Sequence, residues 1–257
     1  MKIVSVFNYP DEEKFNIMCC TWLKQVNINC NPSKILILSK NKPAKTIQDY
    51  VEFKKYKNIE FRVCKSYDKI SFKGHPDCTK ATHNVNFKLY NLCLIDEPYI
   101  FIDADAFIVS DYHDLIEASK DKPMIAINHQ IIPGQTDHLT EPVLNSGVMI
   151  VSDPKFMNWH TFLKILMRDR GFRWPGTDQS LINSFCKESN YDYTHPNVGY
   201  GWNSWSKYSV LEGSKFFCRG LIEEHEVHVN HYWNECKPWN LDCPIYLATK
   251  REILGVD

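Results

Sequence analysis

The sequence predicts an α/β fold: a mostly parallel sheet flanked by helices on both faces. Three observations predict it. Short apolar runs alternate with helix-periodic stretches through the first half of the chain. The strand-like runs are short, four or five residues each. At 257 residues and 44% hydrophobic, the chain can bury one large core, and it carries no internal repeat, linker or low-complexity segment. A single domain spanning 1–257 is expected.

The elements follow in order. Ile3 to Phe7 reads as a strand, and Asp11 to about Asn27 as a helix begun after Pro10. Ile35 to Leu38 is a second strand, Pro43 to Lys55 a helix, Ile59 to Val63 a third strand, Lys80 to Leu94 another helix and Tyr99 to Ile102 a fourth strand. Right-handed crossovers between parallel strands line up their C-terminal ends along one edge, where open α/β sheets bind ligands. The second half is less regular. Met124 to Asn128 and Val148 to Val151 read as strands around a polar insert containing Pro133-Gly134. Pro154 to Arg168 reads as one amphipathic helix and Asp178 to Cys186 as another. His195 to Ser206, rich in Gly, Trp and Tyr, reads as a loop for binding or a hydrophobic satellite cluster.

Bulk properties narrow the partners. A formal net charge of −1 without a long basic run gives no electrostatic reason to expect nucleic acid. The ten cysteines scatter over a long chain without any Cys-x-x-Cys, which argues for reduced thiols rather than a disulfide framework or a cysteine zinc site. The opening Met1-Lys-Ile-Val-Ser-Val-Phe7 lacks the apolar core of a signal peptide, and no stretch is apolar over about 18 residues. A cytoplasmic protein with no membrane segment of its own is the expectation.

The chemistry centres on Tyr99-Ile-Phe-Ile-Asp103-Ala104-Asp105-Ala-Phe-Ile-Val109. In an extended backbone residues i and i+2 share a side, so Asp103 and Asp105 can converge at the ligand edge of the sheet. Two bare carboxylates so close repel, and a divalent cation relieves the conflict; hard oxygen ligands suit magnesium or manganese. Solvated turn residues are the plainer reading of the same pair.

A second group is His231-Tyr-Trp-Asn-Glu-Cys-Lys237-Pro238-Trp239. Imidazole ligates manganese-type metals, lysine offers a point charge for phosphate, and Pro-Trp can pin the loop. Strand alternation puts the competing His228 on the opposite face. The third group pairs Leu144-Asn145-Ser146-Gly147-Val148, read as a polar turn entering a strand, with Thr177-Asp178-Gln179 at a helix start.

Together these groups resemble the glycogenin-like family of retaining glycosyltransferases, with the GT-A fold. The match is ordered: Phe87-Lys88-Leu89, Phe101-Ile-Asp103-Ala-Asp105, Asn145-Ser-Gly147, Asp178-Gln179, and His231 set six residues before Lys237-Pro-Trp. Phe7-Asn8-Tyr9-Pro10-Asp11 fits the family's base-binding loop loosely, the insert Gln130 to Pro142 has no clear counterpart, and Asn234 stands where the family has glycine.

The resemblance implies a UDP-sugar donor, a glycan or glycoprotein acceptor and a Mn2+ or Mg2+ cofactor. Residues 1–109 would form the nucleotide half and 110–257 the sugar and acceptor half. It implies that Asp103, Asp105 and His231 ligate the metal, with Asp103 also on the ribose. Phe7, Asn8, Tyr9 and Ala104 would face the nucleotide, Lys237 the leaving phosphate, and Lys88 the sugar or diphosphate. Asn145, Ser146, Asp178 and Gln179 would line the sugar pocket, with Asp178, Gln179 and Lys88 catalytic. Glucose, galactose and xylose are all compatible, and Trp202, Trp205, Trp233 and Trp239 are stacking candidates for a glycan. Retention would proceed by same-face attack or through a covalent intermediate on Asp178; an inverting enzyme would need a base such as Glu223, Glu224 or Glu226.

Two other classes compete. Aspartyl-nucleophile phosphohydrolases or phosphotransferases also carry Asp-x-Asp after a buried strand, although near the chain start and followed by Gly or Thr, where this chain has Ala106-Phe107 after three preceding strands. The other is a sugar-nucleotide-binding protein without catalysis. UDP release from UDP-sugars separates all three.

Overall fold

The computed structural model describes residues 2–67, 87–112, 116–117, 120–128, 144–169, 177–194, 203–205, 209–212, 215–218, 225–232 and 236–256. The insert Gln130 to Pro142, most of the expected His195 to Ser206 loop, and Trp202, Glu223, Glu224, Trp233 and Asn234 lie outside the described residues, as does the Trp205 side chain.

A six-stranded sheet forms the centre. Its strands are β1 (Lys2–Val6), β2 (Lys34–Ser39), β3 (Ile59–Val63), β4 (Tyr99–Ile102), β6 (Met124–Asn128) and β7 (Leu144–Val151), in the order β3-β2-β1-β4-β7-β6. The first four run parallel, and β7 is antiparallel to both β4 and β6. The helices are α1 (Glu13–Cys30), α2 (Lys45–Phe53), α3 (described over 87–92), α4 (Trp159–Asp169), α5 (Thr177–Glu188) and α6 (Pro244–Leu254). A second, three-stranded sheet holds β5 (Ala106–Ile108), β12 (Val229–His231) and β8 (Asn203–Trp205), in the order β5-β12-β8. Antiparallel β9 (Ser209–Glu212), β10 (Lys215–Cys218) and β11 (His225–Glu226) complete the described strands.

Strand alternation splits the core into two layers. Ile3, Ile35, Ile37, Ile100 and Ile102 pack with α1, α2 and α6; Val4, Leu36, Leu38, Tyr99 and Phe101 pack with α3, α4 and α5. Being buried on both faces, β1, β2 and β4 read as continuous apolar runs. The chain leaves β1 toward β2 on one side and reaches β4 on the other, so the strand order reverses between β1 and β4. A crevice opens outside their C-terminal ends at such a switch point. It places Phe7-Asn8-Tyr9 after β1 beside Asp103-Ala104-Asp105 after β4.

Two expectations about the elements are corrected. The segment expected as one helix from Pro154 is a short 3-10 turn, Pro154–Phe156, followed by α4. Each piece has its own start: Asp153 accepts from the Lys155 N–H at 3.0 Å, and Asn158, between the two, from the His160 N–H at 2.9 Å. Leu144 to Gly147 is not a turn before a strand but the first half of β7, all of it buried. The β6–β7 pairing shifts register between Ala126, opposite Met149, and Ile127, opposite Asn145, so β7 carries the extra residues. α6 was not foreseen; it begins at Pro244 and ends at Gly255, whose φ of 65° is the left-handed cap that glycine supplies. No described helix is long and apolar enough to cross a membrane.

Candidate active site

β4 delivers Asp103 to the crevice, but the third correction is that Asp103 and Asp105 do not converge on an extended backbone. The chain turns there: the Ala106 N–H donates to the Asp103 carbonyl at 2.9 Å, and Ala104, 1% exposed, packs inward. The turn brings the carboxylates together, and β5 then carries the chain away. Donation from the Asp103 N–H to the Gly147 carbonyl at 2.8 Å continues the β4–β7 ladder through the site.

β12 pairs antiparallel with β5 so that His231 stands opposite Ala106, and the Tyr232 N–H donates to the Asp105 carbonyl at 2.8 Å. His231 Nε2 then lies 3.4 Å from Asp105 Oδ1 and 4.0 Å from Asp103 Oδ2. Ligand atoms of Asp103, Asp105 and His231 all fall within 4.8 Å of one another. Gly147 makes room for the imidazole: a Cβ there would stand 2.4 Å from His231 Cε1 and 2.9 Å from Nδ1. The competing His228 bonds to Ser110 Oγ at 2.7 Å, toward the far end of the β5–β12 pairing.

Two lysines face the carboxylates. Lys237 Nζ is hydrogen-bonded and ion-paired to Asp105 Oδ2. Lys88 Nζ meets Asp103 Oδ1 at 2.9 Å, Asp178 Oδ2 at 2.5 Å and the Ser146 carbonyl at 3.2 Å. Those are three acceptors for the three hydrogens of an ammonium. Its position over the Phe101 ring, 4.3 Å from the centroid, adds a cation–π contact. Asp178 sits in the first turn of α5, where the helix N-terminus favours a negative charge, and accepts from Ser146 Oγ at 2.9 Å. Asn145 Oδ1 accepts from the Gly147 N–H at 2.8 Å, and Gln179 is buried beside Asp178.

The carboxylates respond differently to this crowding. Burial pushes the Asp103 carboxyl up, and although Lys88 opposes it, Asp105 and Asp178 add repulsion. Burial works the same way on Asp105, but His231 and Lys237 outweigh it and hold Asp105 well below the usual carboxylate range. Asp178 is also held low, Lys88 and the Ser146 hydroxyl prevailing over burial. Three carboxylates against two lysines, with an imidazole converging, is a donor set that fits a divalent cation: two hard oxygens and one nitrogen ligand suit manganese or magnesium. The room that Gly147 leaves for the ring fits the same reading.

Beside this cluster a pocket of about 110 Å³ opens at the ends of β1 and β2, lined by Phe7, Asn8, Tyr9, Phe15, Asn41 and Phe61 among others. Tyr9 joins the two regions. Its surface is 37% exposed, yet its hydroxyl is pushed well above the ordinary value, first by burial and then by Asp105 and Asp103. The crevice therefore gathers Phe7, Asn8, Tyr9, Lys88, Asp103, Asp105, Asn145, Ser146, Asp178, Gln179, His231 and Lys237, while Ala104 turns into the core. Sequence reasoning missed Asn183, whose amide ties α5 to β7 by accepting from the Leu144 N–H at 2.9 Å. It also missed Phe15 and Asn41. A single amide in mid-helix carries no pattern, and pocket walls on separate loops share none.

No protein-family model matches the sequence, and no curated protein matches it. Solved structures do. A galactosyltransferase, LgtC, in complex with donor and acceptor sugar analogs superposes with a TM-score of 0.65 at 15% identity, covering 99% of this chain and 95% of that one. The apo form of the glycosyltransferase GlyE of Streptococcus pneumoniae matches with a TM-score of 0.61 at 15% identity, over 99% of this chain and 62% of that one. Mouse xyloside xylosyltransferase 1 matches with a TM-score of 0.53 at 12% identity, over 89% of this chain and 97% of that one. The chain has the GT-A glycosyltransferase fold.

Proposed function

We propose that this chain is a metal-dependent, retaining glycosyltransferase that moves a hexose or pentose from a UDP-sugar to a hydroxyl of a glycan or glycoprotein. The observation that carries the reading is the convergence of Asp103, Asp105 and His231, with Lys237 beside them, at the sheet's switch point next to a pocket. That similar folds belong to a galactosyltransferase bound to donor and acceptor sugar analogs and to a xylosyltransferase supports it. In this reading residues 1–109 hold the nucleotide and 110–257 the sugar and acceptor.

Asp103, Asp105 and His231 hold the cation, manganese or magnesium, which when bound would stabilise charge on the departing diphosphate. Phe7, Asn8 and Tyr9 receive the base. Lys237, already drawn to Asp105, lies where a phosphate oxygen can replace that carboxylate as its partner. Lys88 keeps Asp103 and Asp178 at a fixed separation. Asp178, Gln179 and Asn145 line the sugar. Asp178 is ionised and anchored by Lys88 and Ser146, so it stabilises positive charge developing on the sugar ring as the glycosyl–phosphate bond breaks. We favour same-face attack, in which the acceptor oxygen bonds to the anomeric carbon as its proton passes to the leaving phosphate.

The test is UDP release from UDP-glucose, UDP-galactose and UDP-xylose with manganese, with and without acceptor. Transfer with an α-linked first product, read from its anomeric NMR coupling, is expected. No release from any UDP-sugar overturns the reading, and a β product removes the retaining assignment.

A further inference from the structure

We propose that Trp239 is a positioning residue for the diphosphate end of the donor: wedged between Phe15 and Tyr246, it sets the turn that delivers Lys237 to Asp105. The proposal rests on the nucleotide-sugar reading for its ligand, but its geometry stands alone. A lysine side chain has four rotatable bonds, so what fixes its ammonium is chiefly where its backbone sits. Lys237 opens a turn in which the Asn240 N–H donates to the Lys237 carbonyl at 2.9 Å. Buried Pro238 fixes φ at the second position, and Trp239 holds the third. The Cys243 N–H then donates to the Pro238 carbonyl at 3.2 Å, joining the turn to the start of α6.

The Trp239 ring is the turn's anchor on the rest of the molecule. Its plane meets Phe15 edge-on at 5.2 Å and 84°, and Tyr246 lies at 6.2 Å on α6. Phe15 stacks nearly parallel on Tyr9, at 5.1 Å and 11°, and the Lys14 ammonium sits 5.1 Å from the Phe15 ring and 5.8 Å from the Trp239 ring. Tyr9 and Phe15 line the pocket. A continuous aromatic row therefore runs from the pocket wall to the lysine's turn, so one set of packing contacts fixes both ends of the nucleotide crevice.

Two measurements test this. Competitive acetylation followed by peptide mass spectrometry reads lysine placement without any ligand. Lys237 is expected to react slowly in the unaltered protein, severalfold faster in Trp239→Leu, and slowly again in Trp239→Phe, with Lys88 unchanged throughout. Unchanged Lys237 reactivity in Trp239→Leu overturns the proposal, and a parallel rise at Lys88 does too, since it marks general loosening. Calorimetric titration with manganese present then compares UDP with uridine, which lacks phosphate. Trp239→Leu should weaken UDP about tenfold and uridine by no more than about twofold, with no further UDP loss on adding Lys237→Met. Equal losses for both ligands, or additive losses in the double variant, would assign Trp239 to the pocket wall instead. If the unaltered protein binds neither ligand, the proposed function fails while the acetylation result still decides the positioning role.

Discussion

Lys88 and Asp178 meet at 2.5 Å across the site, one from α3 and the other from the first turn of α5. The link joins the carboxylate pair after β4 to the helix behind β7, and it leaves Lys88 with no hydrogen free for a donor. Lys88 accordingly holds the frame of the site, whereas Lys237, bonded to one carboxylate and 20% exposed, is the ammonium able to change partners.

This difference is measurable as stability. Lys88→Met strands the half-buried carboxylates of Asp103 and Asp178 without their shared cation, and should cost about 3 kcal/mol. Lys237→Met, whose partner keeps His231, should cost no more than about 1 kcal/mol. Urea unfolding of both variants at neutral pH checks the ranking. Equal losses would contradict the framing role.

Gly147→Ala places a methyl group where His231 now sits, 2.4 Å from Cε1. The ring is walled in, so relief requires β12 or β7 to shift. Overpacking of this kind costs about 1–3 kcal/mol. Manganese binding, followed by electron paramagnetic resonance, should weaken more than it does in Ser146→Ala, which leaves the imidazole's seat intact.

Asp105→Asn conserves shape but removes one ligand charge. Manganese binding should be lost, while the melting temperature stays within about 3 °C of the parent, because Lys237 can turn to solvent. A variant that binds manganese as well as the parent would remove Asp105 from the site.

A pH effect is expected away from the site. Glu252 on α6 accepts from Lys24 of α1 at 2.7 Å and lies 3.1 Å from Lys54 beside α2. Burial raises its carboxyl, but these lysines prevail and hold it below the ordinary value of 4.5. A carboxyl lowered in the folded state stabilises above its unfolded pKa and loses that contribution as pH falls through the folded one. Glu252→Gln should therefore lower the melting temperature by about 1–3 °C at pH 7. The gap should close as pH drops below 4.5. A gap constant down to pH 3 would show that shape rather than charge is responsible.

By itself the sequence determined the layered sheet and the residues that line its edge. Apolar runs at Ile3, Ile35 and Tyr99 are legible because buried parallel strands are apolar on both faces, and Asp103 and Asp105 because two carboxylates directly after such a run demand a partner, whereas His231 and Lys237 are legible through the spacing they share with the family the sequence resembles. Only the tertiary structure decided how these groups meet. The Asp103-Ala104-Asp105 turn depends on a hydrogen bond three residues along the chain, and the length of β7 depends on a register shift in its pairing with β6. The three acceptors around Lys88 come from the turn after β4, from β7 and from α5, and the Tyr9–Phe15–Trp239 row joins residues more than two hundred positions apart. Local pattern reports which side chains must be buried or paired, whereas the choice of partner is a property of chain topology, because contacts across the sheet are set by strand order and register.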